Sequence, residues 1–124
     1  MRIALAVLLM AVLMLPASAN ALDGSAISKL INGKKVQLNT TYGKFPLRYN
    51  RDGTVFGDGS KTGLVRFFAP KETGKWWVTR GELCQRWPTW YDGKPFCFKV
   101  SQTGPASIRW VRQDGYSGTA RIFK

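Results

Sequence analysis

Residues 74–98 read GKWWVTRGELCQRWPTWYDGKPFCF, and the fold turns on them. They hold four of the chain's five tryptophans and both of its cysteines. Two apolar-rich runs, joined by a segment containing Pro88 and Asp92-Gly93, predict a β-hairpin. With Cys84 opposite Cys97 on antiparallel neighbours, Leu83 faces Phe98, Gln85 faces Phe96 and Glu82 faces Lys99. An apolar pair then falls on one face and an opposite-charge pair on the other. A one-residue slip would turn every side chain over, so this consistency supports the register. It predicts a disulfide on the outer face with Arg86 and Lys99, as a surface staple. Leu83, Trp87, Phe96 and Phe98 point the other way, into the core. Such a bond stabilises by roughly 3 kcal/mol in the chain-entropy model.

The period of two continues on both sides of the hairpin. Val36 and Leu38 alternate with Lys35, Gln37 and Asn39, and Phe45, Leu47 and Tyr49 with Pro46, Arg48 and Asn50. Further strands are expected over 54–57, 63–68, 75–80, 82–87, 96–101, 107–112 and 118–123. All five aspartates, Asp23, Asp52, Asp58, Asp92 and Asp114, precede glycine. Asp-Gly suits the positive φ angles of tight turns, so these carboxylates are expected to shape turns. Ile27, Leu30 and Ile31 recur at helical spacing, which predicts a short helix over 25–32, with Ser25 able to cap it and Gly33 ending it. Eight or nine short strands with one apolar face and a single helix predict an all-β, up-and-down antiparallel β-barrel. A β-sandwich is the alternative.

Residues 1–21 carry the pattern of a signal peptide. Met1-Arg2 is followed by an apolar run from residue 3 to 15, shorter than the ~20 residues a spanning helix needs. Pro16 breaks the run, and cleavage after Ala19 or Ala21 fits the small residues there equally well. The mature chain, a single domain over 22–124, is expected to be periplasmic or secreted. Cys84 and Cys97 are the only thiols and pair in an oxidising compartment. Removing Arg2 from 19 basic residues leaves 18 against 7 acidic ones, a charge near +11. That field attracts anionic polysaccharide, lipopolysaccharide or another envelope component, and nucleic acid outside the cell. It also serves solubility.

The chain has no histidine, so its commonest general base and the serine or cysteine triads are missing. Two thiols without histidine make no zinc site, and no phosphate-binding glycine loop is present, so no metal or cofactor is implied. With the aspartates assigned to turns, Glu72 and Glu82 are the carboxylates left for a hydrolase. Binding is the stronger class. Cations interleave with aromatic residues at Arg66-Phe67-Phe68, Lys75-Trp76-Trp77, Arg86-Trp87 and Trp90-Tyr91 near Lys94. Trp76 and Trp77 must point to opposite faces of a strand. The candidate binding residues are Trp76, Trp77, Arg86, Trp90, Tyr91, Lys94 and Lys99. They would stack on sugar rings or bases while cations meet anionic groups. A protein-inhibitor or host-interaction role through the 88–95 loop, with a protein partner, is the alternative.

The pattern D-G-T-x-x-G from Asp52, G-K-W-W-V from Gly74, L-C-x-x-W from Leu83, C-F at Cys97 and D-G-x-x-G-T-A from Asp114 resembles a group of short secreted proteobacterial proteins of unknown function. The lead-in L-I-N-G from Leu30 is similar to theirs. These motifs are turns, tryptophans and cysteines, and the resemblance implies a fold and no catalytic residue. The expected outline is similar to avidin-like and lipocalin-like barrels and to periplasmic lysozyme inhibitors.

Overall fold

A computed structural model describes residues 21–41, 43–59 and 71–124. The strand expected at 63–68, the Arg66-Phe67-Phe68 run and most of the signal-peptide reading lie outside these residues. Among the described residues eight strands form: β1 Lys34–Thr40, β2 Gly43–Tyr49, β3 Thr54–Asp58, β4 Lys71–Thr79, β5 Glu82–Arg86, β6 Phe96–Gly104, β7 Ser107–Arg112 and β8 Ser117–Phe123. Each pairs antiparallel with the next, and β8 pairs back onto β1, so the sheet closes into a barrel rather than splitting into a sandwich. Closure leaves no open sheet edge among the described strands.

The period of two places the core. Val36, Leu47, Tyr49, Val55, Leu83, Val100, Ile108, Ala120 and Ile122 come from seven of the strands and are all buried in one cluster. The central hairpin has the expected register, with Leu83 opposite Phe98, Cys84 opposite Cys97 and Gln85 opposite Phe96. The Cys84–Cys97 disulfide is formed. Leu83, Gln85 and Trp87 alternate with Cys84 and Arg86, so the bond lies on the outer face. It is not a surface staple, however. Cys84 is 0 % exposed and Cys97 half-buried, because Trp77 and Cys97 flank Cys84 in the ladder. Among the described residues no ion pair joins Glu82 and Lys99, so that expected bridge is absent.

Helix α1, Gly24–Ile31, closes one end of the barrel. Its cap is Asp23 and not Ser25: the Asp23 carboxylate accepts the Ala26 N–H at 2.8 Å. Asp23 wins because its extended backbone places the side chain before the first turn, whereas Ser25 already lies inside it. Gly33, at φ 74°, carries the chain out into β1. Ile27 and Ile31 are wholly buried, and the helix packs on β1, β4 and β5. The β4–β5 turn at this end is Arg80-Gly81, with φ of 52° and 73°, the left-handed pair that a two-residue hairpin requires. The other end is ringed by the β1–β2, β5–β6 and β7–β8 connections, and among the described residues no helix closes it. No helix among the described residues is long and apolar enough to cross a membrane.

The aspartates divide. Asp52 accepts the Thr54 N–H and hydroxyl, and Asp114 accepts the Tyr116 N–H, so both organise turns. Asp92 lies in the hairpin loop. Asp23 is a helix cap and not a turn-shaping residue as expected, while Asp58 ends β3 with its side chain buried and the chain after Gly59 lies outside the described residues.

Candidate functional site

The open end is shaped by the 87–95 segment. Pro88 stops β5, and Tyr91, Asp92 and Gly93 then run consecutively in the left-handed region at φ 56°, 57° and 68°. Two of the three carry a Cβ, a conformation that costs on the order of 1 kcal/mol per residue and persists only where neighbours enforce it. Here several groups do. The Glu72 carboxylate, turned inward from β4, accepts the Thr89 N–H and hydroxyl, both at 2.6 Å, and the Trp90 N–H at 3.2 Å. The Arg86 guanidinium donates to the Gly93 carbonyl at 2.8 Å. Asp92 and Lys94 N–H groups close the turn onto Thr89 and Tyr91 carbonyls.

This bracing turns Trp90 down into the barrel. Its ring lies 4.4 Å from that of Trp87 and meets Phe45 edge-on at 5.7 Å, centroid to centroid. A Cβ at residue 57 would lie 2.7 Å from the indole, so glycine there makes room for it. Its indole N–H is buried without an acceptor among the described residues. Tyr91 stays outside, 56 % exposed, with its ring 4.4 Å from Phe96.

Below and beside this loop is a cup of about 510 Å³, walled by Leu38, Phe45, Leu47, Trp87, Trp90 and Tyr91, with Gln85, Thr40, Thr89 and Asp92 as its polar groups. That size and mix of apolar wall with few polar groups is typical of small-ligand sites. Gln85 is buried, and its side-chain carbonyl accepts the Tyr49 hydroxyl at 2.7 Å. Burial pushes the Tyr49 hydroxyl well above the ordinary tyrosine range, so it stays a neutral donor. A narrower void of about 70 Å³ continues inward, sharing Leu38, Leu47, Gln85 and Tyr91 with the cup.

Charge at the rim is arranged and not merely scattered. Arg112 donates to both Asp114 oxygens, at 2.9 and 2.6 Å, and its guanidinium lies 5.0–5.9 Å from the Tyr116, Tyr91 and Phe96 rings. Those hydrogen bonds from Arg112 are the main reason the Asp114 carboxyl is held down at about 2. Burial alone would raise the Glu72 carboxyl, but the Thr89 and Trp90 donors outweigh it and hold it below the usual range. Lys94 stands exposed on the adjoining groove of about 340 Å³, beside Tyr91 and Asp92.

Trp90, Tyr91 and Lys94 therefore come together at the mouth. Trp77, 38 % exposed, shares the outer wall of β4–β6 with Arg86 and Lys99. Trp76 belongs to neither group. It points inward, meets Tyr49 edge-on and donates its indole N–H to the Asn50 carbonyl at 2.9 Å. It is a packing residue. Glu82 comes within 4.8 Å of both sulfurs, but those sulfurs share a bond and leave no thiolate to hold an ion.

Sequence reasoning missed three site-building groups: Glu72 as a loop anchor, Gln85 as an interior polar residue, and Arg112 as an inward cation. Alternation along β4, β5 and β7 is the signal that could have placed each of them. The chain matches no protein-family model, no curated protein and no solved structure.

Proposed function

We propose that this protein is an exported, non-enzymatic binding protein that takes a glycan-containing, anionic component of the cell envelope at the open mouth of the barrel. The observation that carries the reading is the braced loop over the cup. Three consecutive left-handed residues are held by Glu72 and Arg86, so that Trp90 lines the cup and Tyr91 stands above it. A sugar ring would lie against the Trp90 and Tyr91 faces, hydrogen-bond to Gln85, Thr40 and Thr89, and present its anionic group to Lys94. The disulfide and the leader-like N-terminus support export. The absence of histidine and the three donors on Glu72 favour binding over hydrolysis.

Intrinsic tryptophan fluorescence, titrated with oligomers of N-acetylglucosamine and of galacturonic acid, tests this. The acidic oligomer should shift Trp90 emission and bind at least tenfold tighter than the neutral one, and Tyr91→Ala and Lys94→Ala should each weaken it. Binding unchanged in both variants would sink the reading. A protein-facing role for the loop is favoured by the exposure of Tyr91. That role would show instead as loss of complex formation in Tyr91→Ala with glycan binding absent from the wild type.

A further inference from the structure

A second surface lies on the solvent face of β8, β1, β2 and β3. The register sets Phe123 opposite Lys35, Lys35 opposite Arg48, and Arg48 opposite Phe56, giving one row across four strands. All four point outward, since Val36, Leu47, Val55 and Ile122 beside them are buried. Phe123 and Phe56 are 38 % and 37 % exposed. Lys35 and Arg121 stand 5.5 and 5.7 Å from the Phe123 ring.

Three features set this row apart from ordinary basic surface. Lys35 and Arg48 are like charges directly opposite each other, an arrangement that destabilises a sheet unless an anion sits between them. Strands β1, β2, β7 and β8 contain no carboxylate at all. The acid bordering the adjoining groove of about 410 Å³ is Asp58, and it is buried at the end of β3. The opposite wall differs. It also pairs Lys75 with Arg86, but Arg86 is engaged by the Gly93 carbonyl and Glu82 shares that face.

Geometry narrows the ligand. Neighbouring strands are ~4.8 Å apart, so the row spans roughly 14 Å. In an eight-stranded barrel with strands tilted by about 35–45°, a row of opposed residues runs obliquely round the wall, so the two phenylalanines point roughly 70–90° apart. A flat lipid surface cannot meet both, whereas a flexible chain can follow the curve. Within the row no group accepts a hydrogen bond, which disfavours a hydroxyl-rich polysaccharide. Flat rings and paired cations suit bases and phosphates.

We propose that this wall is a second binding surface, for single-stranded nucleic acid, with a phosphate held between Lys35 and Arg48 and bases stacked on Phe56 and Phe123. It is independent of the mouth. Fluorescence anisotropy with a labelled fifteen-residue oligothymidylate and with labelled polygalacturonate, at 50 to 200 mM salt, tests it. In a Tyr91→Ala, Lys94→Ala background, which removes the mouth's contribution, the oligonucleotide should bind more tightly than polygalacturonate. Its log affinity should fall with log salt, and the combined variant Lys35→Gln, Arg48→Gln should flatten that slope by about 0.7 for each phosphate no longer neutralised. Phe56→Ala and Phe123→Ala should each weaken the oligonucleotide by roughly 5- to 150-fold while leaving polygalacturonate unchanged. Tyr91→Ala should leave it intact. The proposal is overturned by a slope unchanged in the Lys35/Arg48 variant, by phenylalanine variants without effect, or by polygalacturonate binding equally well in a Tyr91→Ala, Lys94→Ala background in which the mouth is disabled.

Discussion

The indole of Trp90 occupies space that a β-carbon at residue 57 would fill, and this fixes what the mouth can be. Gly57→Ala should force the ring outward or strain β3, costing about 1–3 kcal/mol as overpacked sites do. Trp90 emission should move to the red as its ring meets water, with the β-sheet circular dichroism retained. An unchanged emission spectrum would mean that the ring does not depend on that glycine. The same residue shows where the sequence goes silent. Alternation says that Trp76 and Trp77 point to opposite faces, because both lie on a strand. It says nothing of Trp90, which follows Pro88 in a loop whose left-handed turn is set by Glu72 from another strand. Trp90 and Tyr91 look alike in sequence, yet one is half-buried in the cup and the other stands free.

At the scale of elements, the β5–β6 pair was legible because two cysteines and an apolar pair point to a single register. Strand β4 was less so. It begins at Lys71, four residues before the expected start, because its inward positions there are Glu72 and Gly74 and carry no apolar signal. Gly74 is needed: a Cβ would lie 2.4 Å from the Arg86 carbonyl oxygen and 2.9 Å from the Trp87 ring. The β5–β6 ladder itself holds three residue pairs, so the disulfide contributes a large share of its strength. Replacing both cysteines by serine should lower stability by roughly 3 kcal/mol and the melting temperature by roughly 10–20 °C. With Cys84 wholly buried, a mild reductant should act far faster in urea than on the folded protein. Equal rates would show that the bond is accessible without unfolding.

For the whole molecule, acid should be the weak direction. Asp52, Glu72 and Asp114 all have carboxyls held below their ordinary range by hydrogen bonds in the fold. Their depressed folded values mean that the unfolded chain binds protons first as pH falls. The stability they provide is present above about pH 4–5 and drains away toward pH 2. Urea midpoints should therefore be flat from pH 8 to 6 and fall steadily from pH 4 to 2. A midpoint unchanged at pH 2.5 would contradict the assigned anchors. Protonating these carboxylates also raises the net positive charge over the same interval, which adds self-repulsion.

The closure of β8 onto β1 also governs how the chain can fold. Strand β1 finds its second neighbour only when Lys35 and Val36 meet Phe123 and Ile122, at the far end of the chain. Until the last strand is in hand, β1 presents an unpaired edge and the interior is open to water. Local hairpins can form early, but the step that seals the barrel joins the most distant residues and carries the greatest loop-closure cost. A chain delivered N-terminus first would wait, hairpin by hairpin, for its final strand, exposed throughout to pairing with the wrong neighbour.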